Sequence, residues 1–220
     1  GENCWDYFEH HPEISATFDS AMSLQESFPP AMVPPYPFAG KGGELSTGAD
    51  AVTLVDIGGG FGQAIKKIRG EYPDIKGRFI LQDLPKTIKG IDAAQAKQDG
   101  LELMEHDFFK PQPVKGAKYY HLRRVLHDWN DGPSIKILEA TRDAMKETPD
   151  YSRLLIHDFV LPDVGCGFVE SMIDLMMMQT CDGMERTESH WYDLLGKTGF
   201  EILNISRADA GNTAVIEAAL

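Results

Sequence analysis

Residues 53–72 read TLVDIGGGFGQAIKKIRGEY, and the folding of this stretch decides the architecture of the whole chain. A short apolar run ends in Gly58, Gly59 and Gly60, and from Gln63 onward the apolar residues Ala64, Ile65 and Ile68 recur on one helical face. A run of this length that stops at glycines and gives way to helical spacing predicts a strand, a tight turn and a helix. The pattern then repeats. GRFILQDL (77–84) is a second strand candidate, followed by a polar helical stretch over 86–98. LELMEHDFF (101–109) and KYYHLRRVL (118–126) are the third and fourth, SIKILEATRDAMKE (134–147) is a helix, and RLLIHDFVL (153–161) is the fifth strand. Short apolar strands alternating with helices specify a mostly parallel sheet covered on both faces. The end differs. A Met-rich helix over 169–181 and a helix over 188–198 precede FEILNISRA and NTAVIEAAL, two strands joined by DAG with no helix between them, which reads as a hairpin. The expected fold class is α/β, with a mostly parallel seven-stranded sheet ending in an antiparallel hairpin and helices on both faces.

The glycine turn narrows the ligand. A dinucleotide site needs G-x-G-x-x-G. Counted from Gly58 and Gly60 the third glycine falls at Gln63; counted from Gly60 and Gly62 it falls at Ile65. The diphosphate version therefore fails by residue type, while the glycines still let a ligand approach the backbone at a strand end. A nucleoside carrying something other than a diphosphate is expected. Asp83 ends the second strand, about twenty residues on, where a carboxylate can accept from two ribose hydroxyls. Asp107, after the third strand, can receive an adenine amine, with Phe108 against the ring. Gly58, Asp83, Asp107 and Arg123 all fall at carboxyl ends of strands, where ligands sit in such sheets. Asp and Gly are common loop residues there, so the weight lies on their joint placement.

The stretch RRVLHDWND (123–131) follows the fourth strand. His127 enters the same crevice, and histidine is the usual proton acceptor near neutral pH because its unperturbed pKa is about 6.5. A carboxylate on the far ring nitrogen would fix its tautomer. Asp128, Asp158 and Glu185 are the candidates; adjacency argues against Asp128, which, like Asp131, suits a cap on the helix entered at Pro133. The histidines make neither H-x-x-H nor H-E-x-x-H on a helix, so no metal is expected. G-x-S-x-G and G-x-x-x-x-G-K-[ST] are absent, which removes the main sequence support for serine hydrolysis and triphosphate hydrolysis.

The 220 residues suffice for one sizeable domain. With 34 acidic and 21 basic residues the formal charge is −13, contrary to a nucleic-acid binder. Three widely spaced cysteines suggest a reducing, cytoplasmic setting without a disulfide framework. No apolar run approaches the roughly 20 residues that span a bilayer, so no membrane partner is expected. Residues 1–24 suit one or two short amphipathic helices, with Pro12 starting the second, and 27–50 read as a Pro/Gly-rich linker.

LVDIGGGFG, FILQDLP, the HDFF segment, LRRVLHDWND and CDGMERTESHWYDLLGKTGFEI together resemble the class I S-adenosylmethionine-dependent O-methyltransferases of the plant caffeate and fungal secondary-metabolism type, in order along the whole chain. The resemblance implies a Rossmann-like catalytic domain over 51–220 that binds S-adenosylmethionine and releases S-adenosylhomocysteine. Residues 1–50 would be the closing edge of an amino-terminal dimerisation domain, so that the full-length parent is a homodimer. Gly58 and Gly60 would approach the methionine part of the cofactor. Asp83 would hold the ribose, Leu84 would lie beside the adenine, and Asp107 and Phe108 would bound it. Arg123 stands where relatives often carry a cofactor-contacting Lys, and Trp129 would close over the cofactor. His127 would be the general base, flanked by Asp158 and Glu185, with Met176 and Thr180 lining the pocket of a small aromatic or polyketide-like acceptor. Three residues depart from the plant pattern: Asp158 for a common Glu, Thr180 for a common Asn, and Phe61 for a small or hydroxyl residue. The alternative implied is a cofactor-binding domain that has lost catalysis and serves as an interaction or regulatory module.

Overall fold

The computed structural model describes residues 4–24, 36, 50–209 and 212–220. Five parallel strands, β1 (Val52–Ile57), β2 (Arg78–Asp83), β3 (Leu101–Glu105), β4 (Tyr119–Arg123) and β5 (Arg153–Phe159), are joined by β6 (Glu201–Arg207) and β7 (Thr213–Ala219). The sheet order is β3-β2-β1-β4-β5-β7-β6, with β7 antiparallel to both β5 and β6. This is the Rossmann-like mixed sheet that the strand pattern foretold. Its order reverses at β1, between β2 and β4, and the carboxyl ends at such a reversal open into a crevice.

Alternation along each strand divides the core into two layers. Val55, Ile57, Tyr120, Leu122, Leu154 and Ile156 face one side, packed beneath α6 (Asp131–Met145) and α8 (Glu188–Lys197) through Ile137, Leu138, Trp191 and Leu194. Leu54, Phe79, Leu81, Tyr119 and Leu155 face the other, beneath α3 (Gln63–Glu71), through Ile65 and Ile68. Strands buried on both faces read as continuous apolar runs, and each fully buried aliphatic side chain contributes about 1.5–3 kcal/mol.

Several boundaries differ from those expected. The stretch over 86–98 divides into α4 (Pro85–Lys89) and α5 (Ala93–Gln98), because Asp92 caps a new helix by accepting from the backbone N–H groups of Ala94 and Gln95. β3 stops at Glu105 rather than Phe109: His106 N–H still donates to Asp83 O (2.9 Å), after which the Asp107 carboxylate accepts from Phe109 N–H and turns the chain. At the start, α1 (Cys4–His10) and α2 (Pro12–Leu24) form the expected pair, and the ring of Trp5 stacks on Trp129 at 6.3 Å. The linker expected over 27–50 lies outside the described residues except for Tyr36 and Asp50.

Candidate active site

The turn after β1 is shaped by close approach. A Cβ on Gly59 would stand 2.5 Å from Asp56 Oδ2 and from Leu81 Cδ1, so only glycine fits there. Gly60 has φ +58, and among the described residues nothing is nearer than 3.8 Å to its Cβ position, which leaves its backbone open toward the crevice. Its N–H donates to Asp83 Oδ2 (2.9 Å), and Leu84 N–H donates to Asp83 Oδ1 (2.8 Å). Burial raises the Asp83 pKa, and these N–H bonds oppose the shift. A bare glycine backbone beside a pinned carboxylate suits a nucleoside cofactor with hydroxyls to donate. Phe108 lies over Gly58, with Val125 Cγ2 only 3.0 Å from that glycine's Cβ position. Its ring also meets Trp129 edge-on at 6.2 Å. The glycine turn, the loop after β3 and the segment after β4 therefore border one crevice. Leu84 is exposed at its edge.

His127 sits on a 3-10 turn, Leu126–Asp128. Its Nδ1–H donates to Glu185 Oε1 (2.9 Å), and Asp158 Oδ1 lies 3.9 Å from the same nitrogen. Asp128 departs from expectation. Adjacency was to keep it away, yet its Oδ1 stands 3.4 Å from His127 Nε2, because the tight turn brings consecutive side chains to one side. Nor does Asp128 or Asp131 cap α6; Asn130 does, accepting from Gly132 N–H. Burial disfavours the His127 charge, but Asp158, Asp128 and Glu185 outweigh it and raise the pKa to about 9. Asp158 Oδ2 and Glu185 Oε2 are buried and have no hydrogen-bond partner among the described residues. The ring and the two carboxylates have atoms within 4.8 Å of one another. The hydrogen bond to Glu185 and the Arg124 guanidinium, 3.8 Å from each carboxylate, already occupy that space, so the cluster reads as a proton-holding site.

Two residues that sequence reasoning passed over complete it. Arg186, fully buried, donates to the carbonyls of Leu126 and Trp129, to Ser134 Oγ and to Asp131 Oδ1, at 2.8–3.2 Å. It thereby grips both ends of the turn that carries His127. Asp131 also accepts from His190 Nε2 (2.9 Å). Arg124, rather than Arg123, reaches the carboxylates. Arg123 shares by alternation the face of His121, where Tyr36 OH lies 3.3 Å from His121 Nε2 and 3.1 Å from His157 Nδ1. The adjacent pair RR gave no signal of which arginine turns inward. On α7 (Phe168–Cys181), Met176 and Thr180 are exposed, and the Thr180 hydroxyl donates to Met176 O (2.7 Å). A cleft of about 420 Å³ beside Glu185 is lined instead by Leu161, Asp163, Cys166, Asp174, Leu175 and Thr187, among others.

Fold and crevice together define a Rossmann-like protein with a glycine turn at the carboxyl end of β1 and a carboxylate-flanked histidine on the turn after β4. Residues 48–201 match the model of the O-methyltransferase domain, and the chain belongs to that family. It is similar to methyltransferase cfoC of Aspergillus candidus, 39% identical over 219 residues, which are 99% of this chain and 53% of the relative. It is likewise 39% identical over 206 residues to demethylsterigmatocystin 6-O-methyltransferase stcP of Emericella nidulans, 94% of this chain and 96% of the relative. Among solved structures, OxaC in complex with SAH and oxaline superposes with a TM-score of 0.86 at 33% identity, covering 100% of this chain and 54% of that one. The chain thus spans about half the length of most of the curated relatives it matches.

Proposed function

We propose that this chain moves a methyl group from S-adenosylmethionine to a phenolic or enolic hydroxyl of a small aromatic or polyketide-like metabolite. The observation that carries the reading is His127, held by Glu185 at Nδ1 (2.9 Å) beside the crevice that the glycine turn borders. When bound, the cofactor supplies an electrophilic methyl group on a sulfonium. Gly58 and Gly60 would pass its methionine part, Asp83 would accept from the ribose hydroxyls, and Leu84, Asp107 and Phe108 would bound the adenine. Arg123 would stand by at the end of β4, and Trp129 would close the crevice. With Nδ1–H committed to Glu185, Nε2 is the nitrogen left to take the hydroxyl proton. A phenol with a pKa near 10 needs such a base at neutral pH. Asp158 would steady the ring's charge, and holding oxygen and methyl carbon in line supplies the rest. Met176 and Thr180 would belong to the acceptor side, completed by further chain: we read 51–220 as the catalytic domain and 1–50 as the edge of a dimerisation domain in a longer homodimer.

The test is His127→Gln. Cofactor binding by calorimetry is expected to persist while turnover on a panel of phenols falls about 10²-fold or more. Full turnover in the variant would remove the base assignment. Cofactor binding with no transfer to any phenol by the parent protein would leave the chain a cofactor-binding module.

A further inference from the structure

Arg124 holds a backbone conformation that its residue type resists. Its φ is +53, in the left-handed region, and among the described residues only Asp182 is another non-glycine with positive φ. A branch-free glycine would sit there without strain, so a long cationic side chain in this place calls for a compensating interaction. Its N–H donates to His157 O (3.1 Å), which any residue but proline would do as well. What the arginine adds is its guanidinium, which lies 4.1 Å from the Phe159 ring centroid and 3.8 Å from both Asp158 Oδ1 and Glu185 Oε1. At 3.8 Å these are charge contacts, too long for hydrogen bonds.

We infer that Arg124 is a positioning residue for charge: a fixed cation that offsets Asp158 and Glu185 and so keeps His127 able to give up its proton. The inference rests on the reading of His127 as a base. The groups that face this imidazole come from every surrounding element. Asp128 lies on its own turn, Asp158 at the end of β5, Cys181 at the end of α7, and Glu185 and Arg186 on the loop that follows. Arg186 is committed to Asp131 and to backbone carbonyls. The Arg186 charge also bears on Asp158 and Glu185, but Arg124 is the cation whose guanidinium stands 3.8 Å from both carboxylates. Without it the imidazolium would be held more tightly, and a base that does not release its proton cannot accept another.

The experiment titrates His127 by NMR in the 220-residue chain with no acceptor present, its resonance assigned by loss in His127→Gln. Arg124→Gln, Arg124→Gly and Arg124→Lys are compared with the parent. Gln and Gly are expected to raise the His127 midpoint by about one unit or more, since a charge at this range has that effect, while Lys keeps it near the parent value. Gly is also expected to melt higher than Gln, because it relieves the left-handed backbone, which separates strain from charge. In turnover assays the alkaline shift should fall on the pH profile of kcat, with cofactor affinity unchanged. An unmoved midpoint in the folded Gly variant, or a Lys variant that shifts as far as Gly, overturns the inference. Absence of methyl transfer by the parent protein would strike the proposed function instead, and the histidine titration would still answer for Arg124.

Discussion

His127 carries its proton tightly because three carboxylates surround it in a largely buried place; burial alone would have had the opposite effect. A ring protonated up to about pH 9 is a poor base at neutral pH unless a positive charge arrives near it. The two forms of the proposed cofactor differ by one such charge, at sulfur. His127 is therefore expected to titrate about one unit lower with S-adenosylmethionine bound than with S-adenosylhomocysteine bound. NMR titration of the two complexes measures the difference, and identical midpoints would put the sulfur far from the ring. At this scale the sequence was informative about residue type and less so about direction. His127, Glu185 and Asp158 could be picked out because each follows an apolar strand or helix. The inward turn of Arg124, and the contact of Asp128 with its neighbour, depend on a 3-10 turn and a positive φ that no spacing rule announces.

At the scale of elements, the turn between β1 and α3 separates two uses of glycine. Gly59→Ala would drive a methyl group into Asp56 and Leu81 at 2.5 Å, and a cost of about 1–3 kcal/mol in folding stability is expected from such overpacking. Gly60→Ala meets no described atom nearer than 3.8 Å and bears only the left-handed penalty of about 1–2 kcal/mol, but its methyl group would stand where the proposed cofactor would approach. Urea melts beside cofactor titrations should show the first variant losing mainly stability and the second losing far more affinity than stability. Equal losses of affinity in the two folded variants would undo this division of roles. Strand identity could be read from apolar runs, whereas strand ends could not. β3 stops early because Asp107 offers its carboxylate to the Phe109 N–H, and α4 and α5 separate because Asp92 caps the second of them. Side chains that compete with the backbone for hydrogen bonds set these limits, and they leave only a faint mark on hydrophobic period.

For the whole molecule, the buried His157 and the part-buried His127 bound stability from opposite sides of neutrality. His157 has its pKa pushed well below the usual value by burial, then by Arg123, His121 and Arg124. A depressed folded value means that its contribution is complete above about 6.5 and is lost as pH falls toward the folded value. His127 is raised, so its contribution is complete below about 6.5 and is lost as pH climbs through about 9. The raised pKa of Asp128, about 7 in the fold, costs stability as pH climbs from the usual carboxylate value to about 7, and so opposes the acid limb that His157 sets. Melting temperature is thus expected to peak near the unperturbed histidine value and to fall on both sides. His157→Phe should flatten the acid limb and His127→Gln the alkaline one, and a scan unchanged by either would refute the linkage. The overall α/β architecture was open to reading because alternating apolar strands and amphipathic helices leave few other packings. The polar wiring was not, since it joins residues as distant as Tyr36 and His157.

One property of the sheet bears on how the chain reaches this form. β7 follows every other described strand yet lies between β5 and β6. The hydrogen-bonding margin of β5, the strand that carries Asp158, stays unoccupied until the chain has passed β6 and doubled back. During synthesis, then, a nascent polypeptide halted before Thr213 would present an unpaired backbone margin, Leu154 through Phe159, on which another copy could template.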